Sequence, residues 1–526
     1  LVWKGSWSTL WSGTMPLASG SPPSLRAVVS AALVLLGTAC PGDERPRPPV
    51  RERPAPAGTV RVGYPEEPPT LNPVTDPSPA ARDLLRPLLP SFFLITPDLR
   101  YEPFLLAAEP EVAAADGRVE VRFRIRDEAI WSDGTPVTVE DVVFTRRVMT
   151  DPAVDPWNPT GFDRLVDVVA DSPKAGRLIL EERWPGWRDL FAAGRFVLPA
   201  HAASDPRDVA RWNDGPPVTA GPFRLVGWVR GRSVTMAADP AFWGPVPSME
   251  RLEVAFVPDP TTALQLLERG VLDVVASMPG VSWGRRLEMA GATVSRGVGP
   301  DVVSLVINVE TVEDPDLRRR IAHAVDRRRF LEVVLRDDAE PTDGILVPEQ
   351  AGAEPAWASY GTGRLPVAEA PGELDLIYRR AELSDLLARY VQAELERAGI
   401  DVELVALEAE VFQGTFLPDR RFDLALLETR TGPAPELWRW VELPGSGLSV
   451  TGLSDQALAD LVRAAGGGEE AALRQAQRRL ATLAAVLPLF RPRVTMGWNE
   501  GVTGPAANPT VDGPLWNAST WVKISS

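Results

Sequence analysis

Two histidines, one cysteine and one G-x-S-x-G pentapeptide are the residues whose types and spacing could carry covalent or metal chemistry. His201 and His323 fall in neither an H-x-x-x-H nor an H-E-x-x-H spacing, so a zinc site would need both of them plus carboxylates. A single cysteine excludes an intrachain disulfide and any thiolate cluster. The pentapeptide Gly280-Val281-Ser282-Trp283-Gly284 would have to be a nucleophile elbow, which needs a sharp strand-to-helix turn with the acid and then the histidine later in the chain. Here the residues ASMP separate it from the preceding strand, and His323 follows only a short way on. Ser282 therefore reads as a loop serine. No catalytic residue, metal or cofactor is expected.

The cysteine has a different context. Residues 27–37 (AVVSAALVLLG) form an apolar run after Arg26, and the small residues Thr38 and Ala39 lead into Cys40. About 11 apolar residues cannot cross a hydrocarbon core of roughly 30 Å as a helix. Positive, then apolar, then small is the order of a secretory signal peptide, expected over residues 1–39 with translation starting at Met15. A small-small-Cys ending resembles a bacterial lipoprotein signal, although Gly37 replaces the usual leucine. Cys40 is then the lipid attachment site, and the proline-rich, charged residues 41–57 are an extended tether.

The chain has 526 residues, more than a single core usually supports, so two or three lobes are expected. Its net charge of −16, with only Lys4, Lys174 and Lys523 as lysines, argues against a nucleic-acid partner. Strand-like and helix-like segments alternate in the body. Strands are expected at residues 59–63, 119–125, 177–181, 223–228, 233–237, 252–257, 302–309, 374–378, 401–407 and 423–427. Helices are expected at 262–269, 316–335 and 385–398, the last capped by Ser384 and ended by Gly399. Residues 151–162, 337–371 and 429–452 read as long loops, and the closing aromatic, turn-rich segment as a return to the first lobe.

Residues 123–145 (FRIRDEAIWSDGTPVTVEDVVFT) carry a specific likeness. Trp131-Ser132-Asp133-Gly134-Thr135-Pro136 followed by Glu140-Asp141-Val142-Val143-Phe144 resembles the signature of the family 5 extracellular solute-binding proteins of peptide and nickel ABC importers. Further blocks resemble the same family in the right order along the chain: TVRVGYPEEPPTLNPV near the start, then TAGPFRLVGWVRGRSVTMAADPAFWG, ALQLLERGVLDVV, LVINVET with DPDLRRRIAHAVDRRRFLEVVL, and GPLWNASTW. The likeness runs from Gly58 to Lys523. It implies an α/β periplasmic-binding-protein-like fold (type II, class C), a bilobal clamp with an extra inserted small domain. Lobe I would comprise residues 58–88, 219–302 and 486–526, the inserted domain 89–218, and lobe III 303–485.

The implied function is an extracytoplasmic, membrane-anchored lipoprotein that captures a peptide or peptide-like solute and delivers it to ABC permease subunits, as a monomer. Closure needs no bond chemistry, because a ligand that touches both lobes only in the closed state shifts an open–closed equilibrium. The alternatives are a glycosidase-like enzyme with paired cleft carboxylates, or a solute sensor without a permease. Because ligands of α/β folds bind at strand ends, Thr429, Arg430, Glu436 and Trp438 are the expected contacts, with Asn308 at the end of another strand. Relatives that bind peptides commonly place an aspartate here. This chain has Gly432-Pro433-Ala434-Pro435 instead, with Glu436 as the substitute. His201 is expected as a loop or cap residue, His323 as a packed one, and the arginines near Asp326 on a solvated helix face.

Overall fold

In the computed structural model the described residues are 58–524, apart from 116, 279, 361–371, 430–436, 438–439 and 441–448. Ten of the strands expected from alternation form, within a residue or two of their expected bounds. Most belong to one twelve-stranded sheet with two halves. In the first half Thr59–Tyr64 runs parallel to Arg251–Phe256, followed outward by the antiparallel Ser233–Ala238 and Phe223–Val229. In the second half Leu374–Arg379 lies parallel between Val402–Leu407 and Leu424–Thr429, and Val302–Ile307 pairs antiparallel with the latter.

One strand joins the halves. Val486–Trp498 pairs through its first residues with Val302–Ile307 and Ala339–Pro341, then through its last with Thr293–Val298 and Val274–Val275. The chain therefore crosses between the halves twice, at Gly299–Asp301 and at Arg491–Pro492. Buried apolar side chains follow the same division. One core gathers residues between Val60 and Ala276 with Met496–Trp521, and a second gathers Val303–Phe490. A four-stranded antiparallel sheet, Glu111–Ala115, Arg118–Arg124, Ala175–Leu180 and Leu165–Ser172, packs Val121, Phe123 and Leu178 into the first core.

The structure changes the helix readings in two places. The long helix expected over 316–335 is broken into Pro315–Ala324, Arg327–Phe330 and a wide turn at Leu331–Leu335. Val325 is extended, and the Asp326 carboxylate accepts the Arg329 N–H at 3.0 Å, restarting the helix as an N-cap. The break turns Arg327 inward. Its guanidinium donates to the carbonyls of Thr342, Pro488, Trp357 and Tyr360 and to Asp343 Oδ1, so it staples the second core rather than facing solvent. The helix expected at 385–398 spans Glu382–Arg397 with Ala381 at its N-cap, which places Ser384 in its first turn. Gly399 ends it with φ +84°, as its position suggests.

Candidate functional site

The two halves enclose a cavity of about 660 Å³. Its first wall is built from the loop after Thr59–Tyr64. The Asp76 carboxylate accepts the Thr70 N–H at 2.8 Å, the Thr70 hydroxyl at 2.7 Å and the Ser78 N–H at 2.8 Å. Ser78 then caps the helix Pro79–Leu85 by accepting the Ala81 N–H. The pinned turn brings Arg82 and Asp83 to the cavity. The Tyr64 hydroxyl donates to Asp83 Oδ2 at 2.6 Å, and Arg82 donates to the Pro77 carbonyl while lying over the Trp157 ring.

The floor is the segment from Asn508 to Pro514, and Ile95 holds it by three side chains. Asn508 Nδ2 and the Thr510 hydroxyl donate to the Ile95 carbonyl, and Asp512 Oδ2 accepts the Ile95 N–H at 2.6 Å. Behind this segment Arg86 and Asp512 form a fully buried pair at 3.9 Å. Burial raises the Asp512 carboxyl above its usual range and lowers the Arg86 guanidinium, and the mutual attraction opposes both shifts. Gly513, with φ +62°, lies so close that a Cβ there would sit 2.0 Å from Asp83 Oδ1.

The opposite wall comes from the second half. Its parallel strands Leu374–Arg379 and Leu424–Thr429 end side by side, and present Arg379 and Glu428. Ser384 adds a hydroxyl from the first turn of the neighbouring helix, and Phe412 and Gln413 close the end. A smaller compartment of about 260 Å³ adjoins the first, sharing Ser277, Arg379, Ser384, Glu428, Val494 and Pro509 with it. Glu382, Trp283, Asp301, Asp338 and Arg493 are among the other residues that line it.

Among the residues expected from the sequence, Thr429 is buried on the right strand, and its hydroxyl donates to the Val302 carbonyl. The period of two in that strand puts Glu428 on the cavity instead. Asn308 is fully buried. Its Nδ2 donates to the Arg420 and Phe422 carbonyls, and its Oδ1 accepts the Glu310 N–H. Neither Thr429 nor Asn308 lines the cavity. Arg430, Glu436, Trp438 and Cys40 lie outside the described residues. Sequence reasoning missed Arg379, although it ends a strand that alternation had located. The strand-end rule points to Thr429 and to Asn308 on two strands, and the strand Leu374–Arg379, parallel neighbour of Leu424–Thr429, obeys it equally.

The residues that could have done chemistry are spent elsewhere. His201 Nε2 pairs with Asp133 Oδ2 at 2.8 Å, tying the SDGTP turn to a neighbouring loop. His323 packs against the Tyr360 ring at 4.7 Å, and burial lowers its pKa. Ser282 is the N-cap of the helix Trp283–Met289, its N–H donating to the Asp338 carboxylate. Among the described residues no histidine bonds its hydroxyl, and no group of three His, Cys, Asp or Glu side chains is arranged to hold a metal. Asp141 caps the helix Val139–Thr150 by accepting the Thr138 N–H, and also accepts from Ala200 N and Trp131 Nε1, so the motif residues build a frame.

Comparison with known proteins identifies that frame. The profile of the bacterial extracellular solute-binding proteins, family 5 (middle region), matches residues 102–441. The chain belongs to this family. Family 5 members are binding proteins and not enzymes, and the paired-carboxylate glycosidase reading falls with that assignment. Protein XP55 of Streptomyces lividans is 28% identical over 299 residues, covering 55% of this chain and 52% of that protein. The chain thus spans about half the length of that relative. The oligopeptide-binding protein OppA of Mycobacterium tuberculosis is 24% identical over 411 residues, 70% of this chain and 68% of that protein.

Solved structures of family 5 proteins share the fold. The periplasmic EDTA-binding protein EppA superposes with a TM-score of 0.80 at 21% identity, covering 90% of this chain and 98% of its own. The oligopeptide-binding protein AppA of Bacillus subtilis, in complex with a nonapeptide, gives 0.72 at 17% identity, covering 90% and 100%. The architecture is therefore a periplasmic-binding-protein-like α/β clamp of the family 5 type. No helix among the described residues is long and apolar enough to cross a membrane.

Proposed function

We propose that this protein is the extracytoplasmic substrate-binding component of an ABC importer, capturing a peptide or peptide-like solute in the cleft and delivering it to a membrane permease. The observation that carries this reading is the cavity of about 660 Å³ whose walls come from the two halves of the sheet, with ionic side chains on both sides. A ligand there touches both halves at once, so its binding favours the closed arrangement. The lobe expected as residues 58–88, 219–302 and 486–526 would end at the two crossings instead, so that 58–88, 219–298 and 493–526, with the inserted residues 89–218, would move against 302–491. The volume lies within the range of about 300–1,000 Å³ usual for small-molecule sites. The mycobacterial relative is named an oligopeptide-binding protein, which favours a peptide.

Cys40 would carry the lipid anchor, with residues 41–57 as tether, and the monomer would be the working unit. Replacing Cys40→Ser is expected to release the protein from membranes without changing ligand affinity, and continued membrane attachment would overturn the anchor. For the ligand, native mass spectrometry of protein purified without denaturation is expected to show a co-purifying peptide. A thermal-shift library checks the same point, because a ligand held only by the folded state raises the melting temperature. Stabilisation by another solute class and by no peptide would refute the peptide assignment.

A further inference from the structure

The inserted residues 89–218 meet the second half at a hairpin tip whose backbone does not suit its residue. The strands Phe93–Ile95 and Tyr101–Pro103 are antiparallel, with Ile95 opposite Tyr101. Between them the Leu99 N–H donates to the Thr96 carbonyl at 2.9 Å, and the Thr96 N–H to the Arg100 carbonyl at 3.0 Å. That pattern makes Pro97-Asp98-Leu99 a three-residue loop, a tight turn followed by one left-handed residue. The left-handed position ordinarily takes glycine or asparagine, and here it holds Leu99 at φ +60°. Its neighbours Asp98 and Arg100 pair with each other in solvent, yet Leu99 is only 8% exposed. It packs in a cluster with Val302 and Val347, both fully buried, and this cluster is separate from the two large cores.

Both sides of this contact lead to the cleft. At the base of the hairpin, Ile95 is the residue bonded by Asn508, Thr510 and Asp512 of the floor. On the other side, Val302 begins its strand directly after the crossing at Gly299–Asp301, and its carbonyl accepts the Thr429 hydroxyl beside Glu428. Val347 donates its N–H to Gln350 Oε1 at 3.0 Å, and Glu349 of the same turn reaches Arg491 at the second crossing. We propose that Leu99 is a positioning residue for the clamp: a peg of the inserted domain that holds the two halves in the arrangement of this structure while seated against Val302 and Val347. Rotation about the crossings withdraws it into water. A bulky side chain in a left-handed conformation persists where its surroundings over-determine it, and here the surroundings are residues of the other moving body. A solute that needs the seated arrangement binds in proportion to the share of protein already in it, so a residue outside the cleft tunes affinity. That consequence rests on the cleft being the solute site, whereas the peg itself does not.

Double electron–electron resonance on the whole chain tests the peg without any solute. In a Cys40→Ser background, spin labels on Val226→Cys of the first half and Val333→Cys of the second, 58% and 63% exposed in the parent, report how far apart the halves stand. Leu99→Gly keeps the left-handed backbone and removes the peg. It should lower the ratio of the parent separation to all others by about tenfold, the effect of exposing one buried leucine. Leu99→Met keeps an apolar peg of similar volume and should retain the parent distribution. Val347→Ala hollows the socket from the other body and should shift the distribution in the same direction as Leu99→Gly, and it decides the matter if Leu99→Gly does not fold. An unchanged distribution in folded Leu99→Gly overturns the peg, as does a shift in Leu99→Met as large as that in Leu99→Gly. Either result leaves the peptide reading to the solute screen, which stands or fails without reference to Leu99.

Discussion

Arg491 holds Gly299 across the two connections between the halves: its Nη2 lies 2.9 Å and its Nε 3.1 Å from the Gly299 carbonyl oxygen. The same guanidinium reaches Glu349 Oε2 at 3.0 Å, so one side chain ties both crossings to a loop of the second half. Such a fork fixes direction as well as distance, which a single ammonium cannot do.

Arg491→Ala leaves a buried carbonyl without its donors and should lower stability by about 2–4 kcal/mol in denaturant titration. Arg491→Lys should recover less than half of that loss, since one ammonium cannot reproduce the paired contact to a single carbonyl. Full recovery by lysine would show that charge alone matters there.

Asp141 accepts from Thr138 N, Ala200 N and Trp131 Nε1 while 3% exposed. Asp141→Ala strands one buried donor and two part-buried ones and is expected to destabilise the protein by about 2–4 kcal/mol. Ligand affinity measured by calorimetry should stay within about twofold, because the residue frames the first core and does not line the cleft. A large affinity loss with unchanged stability would contradict the framing role.

Gly513 adopts φ +62° with its Cα against Asp83. Gly513→Ala adds both left-handed backbone strain, worth about 1 kcal/mol, and a methyl that displaces the Asp83 carboxylate from the Tyr64 hydroxyl. The expected result is a small drop in melting temperature and a larger fall in ligand affinity, read by thermal denaturation and calorimetry on the same sample.

His323 gives the protein an acid sensitivity of known sign. Burial lowers its pKa below the ordinary 6.5, so the folded state favours the neutral ring. That contribution to stability is in force above pH 6.5 and is lost as the pH falls through the lowered value. His323→Phe keeps the packing on Tyr360 without the proton site, and should lose less melting temperature between pH 8 and pH 5 than the parent.

The sequence showed the regular strands because alternation of apolar residues is a local property, as in Val121 and Phe123. It hid Val486–Trp498, the longest strand, because Pro488 and Pro492 interrupt its pattern. The structure accommodates Pro488 opposite Ser304, where the pairing with Val302–Ile307 shifts register, and places Pro492 where partners change from one half to the other. Thr293–Val298 was hidden for a similar reason: Gly297 weakens the strand signal but leaves room for Pro509, whose Cδ would lie 2.8 Å from a Cβ there. The cleft was legible only in part. That strand ends form it follows from chain order, but which carboxylates stay uncommitted depends on partners more than a hundred residues away, as with Arg420 and Glu310. Nothing local distinguishes Glu428 from Glu310.

The strand shared by both halves also sets an order on assembly. Val302–Ile307 and Thr293–Val298 both pair with residues 486–498, so a chain emerging from its amino end carries two unfinished halves of the sheet until those residues are available. Unpaired edges of that kind invite pairing with other chains, and long-range strand closure is slow. This topology favours keeping the earlier strands apart until residues 486–498 arrive, and truncation before residue 486 should yield aggregates rather than a free first half.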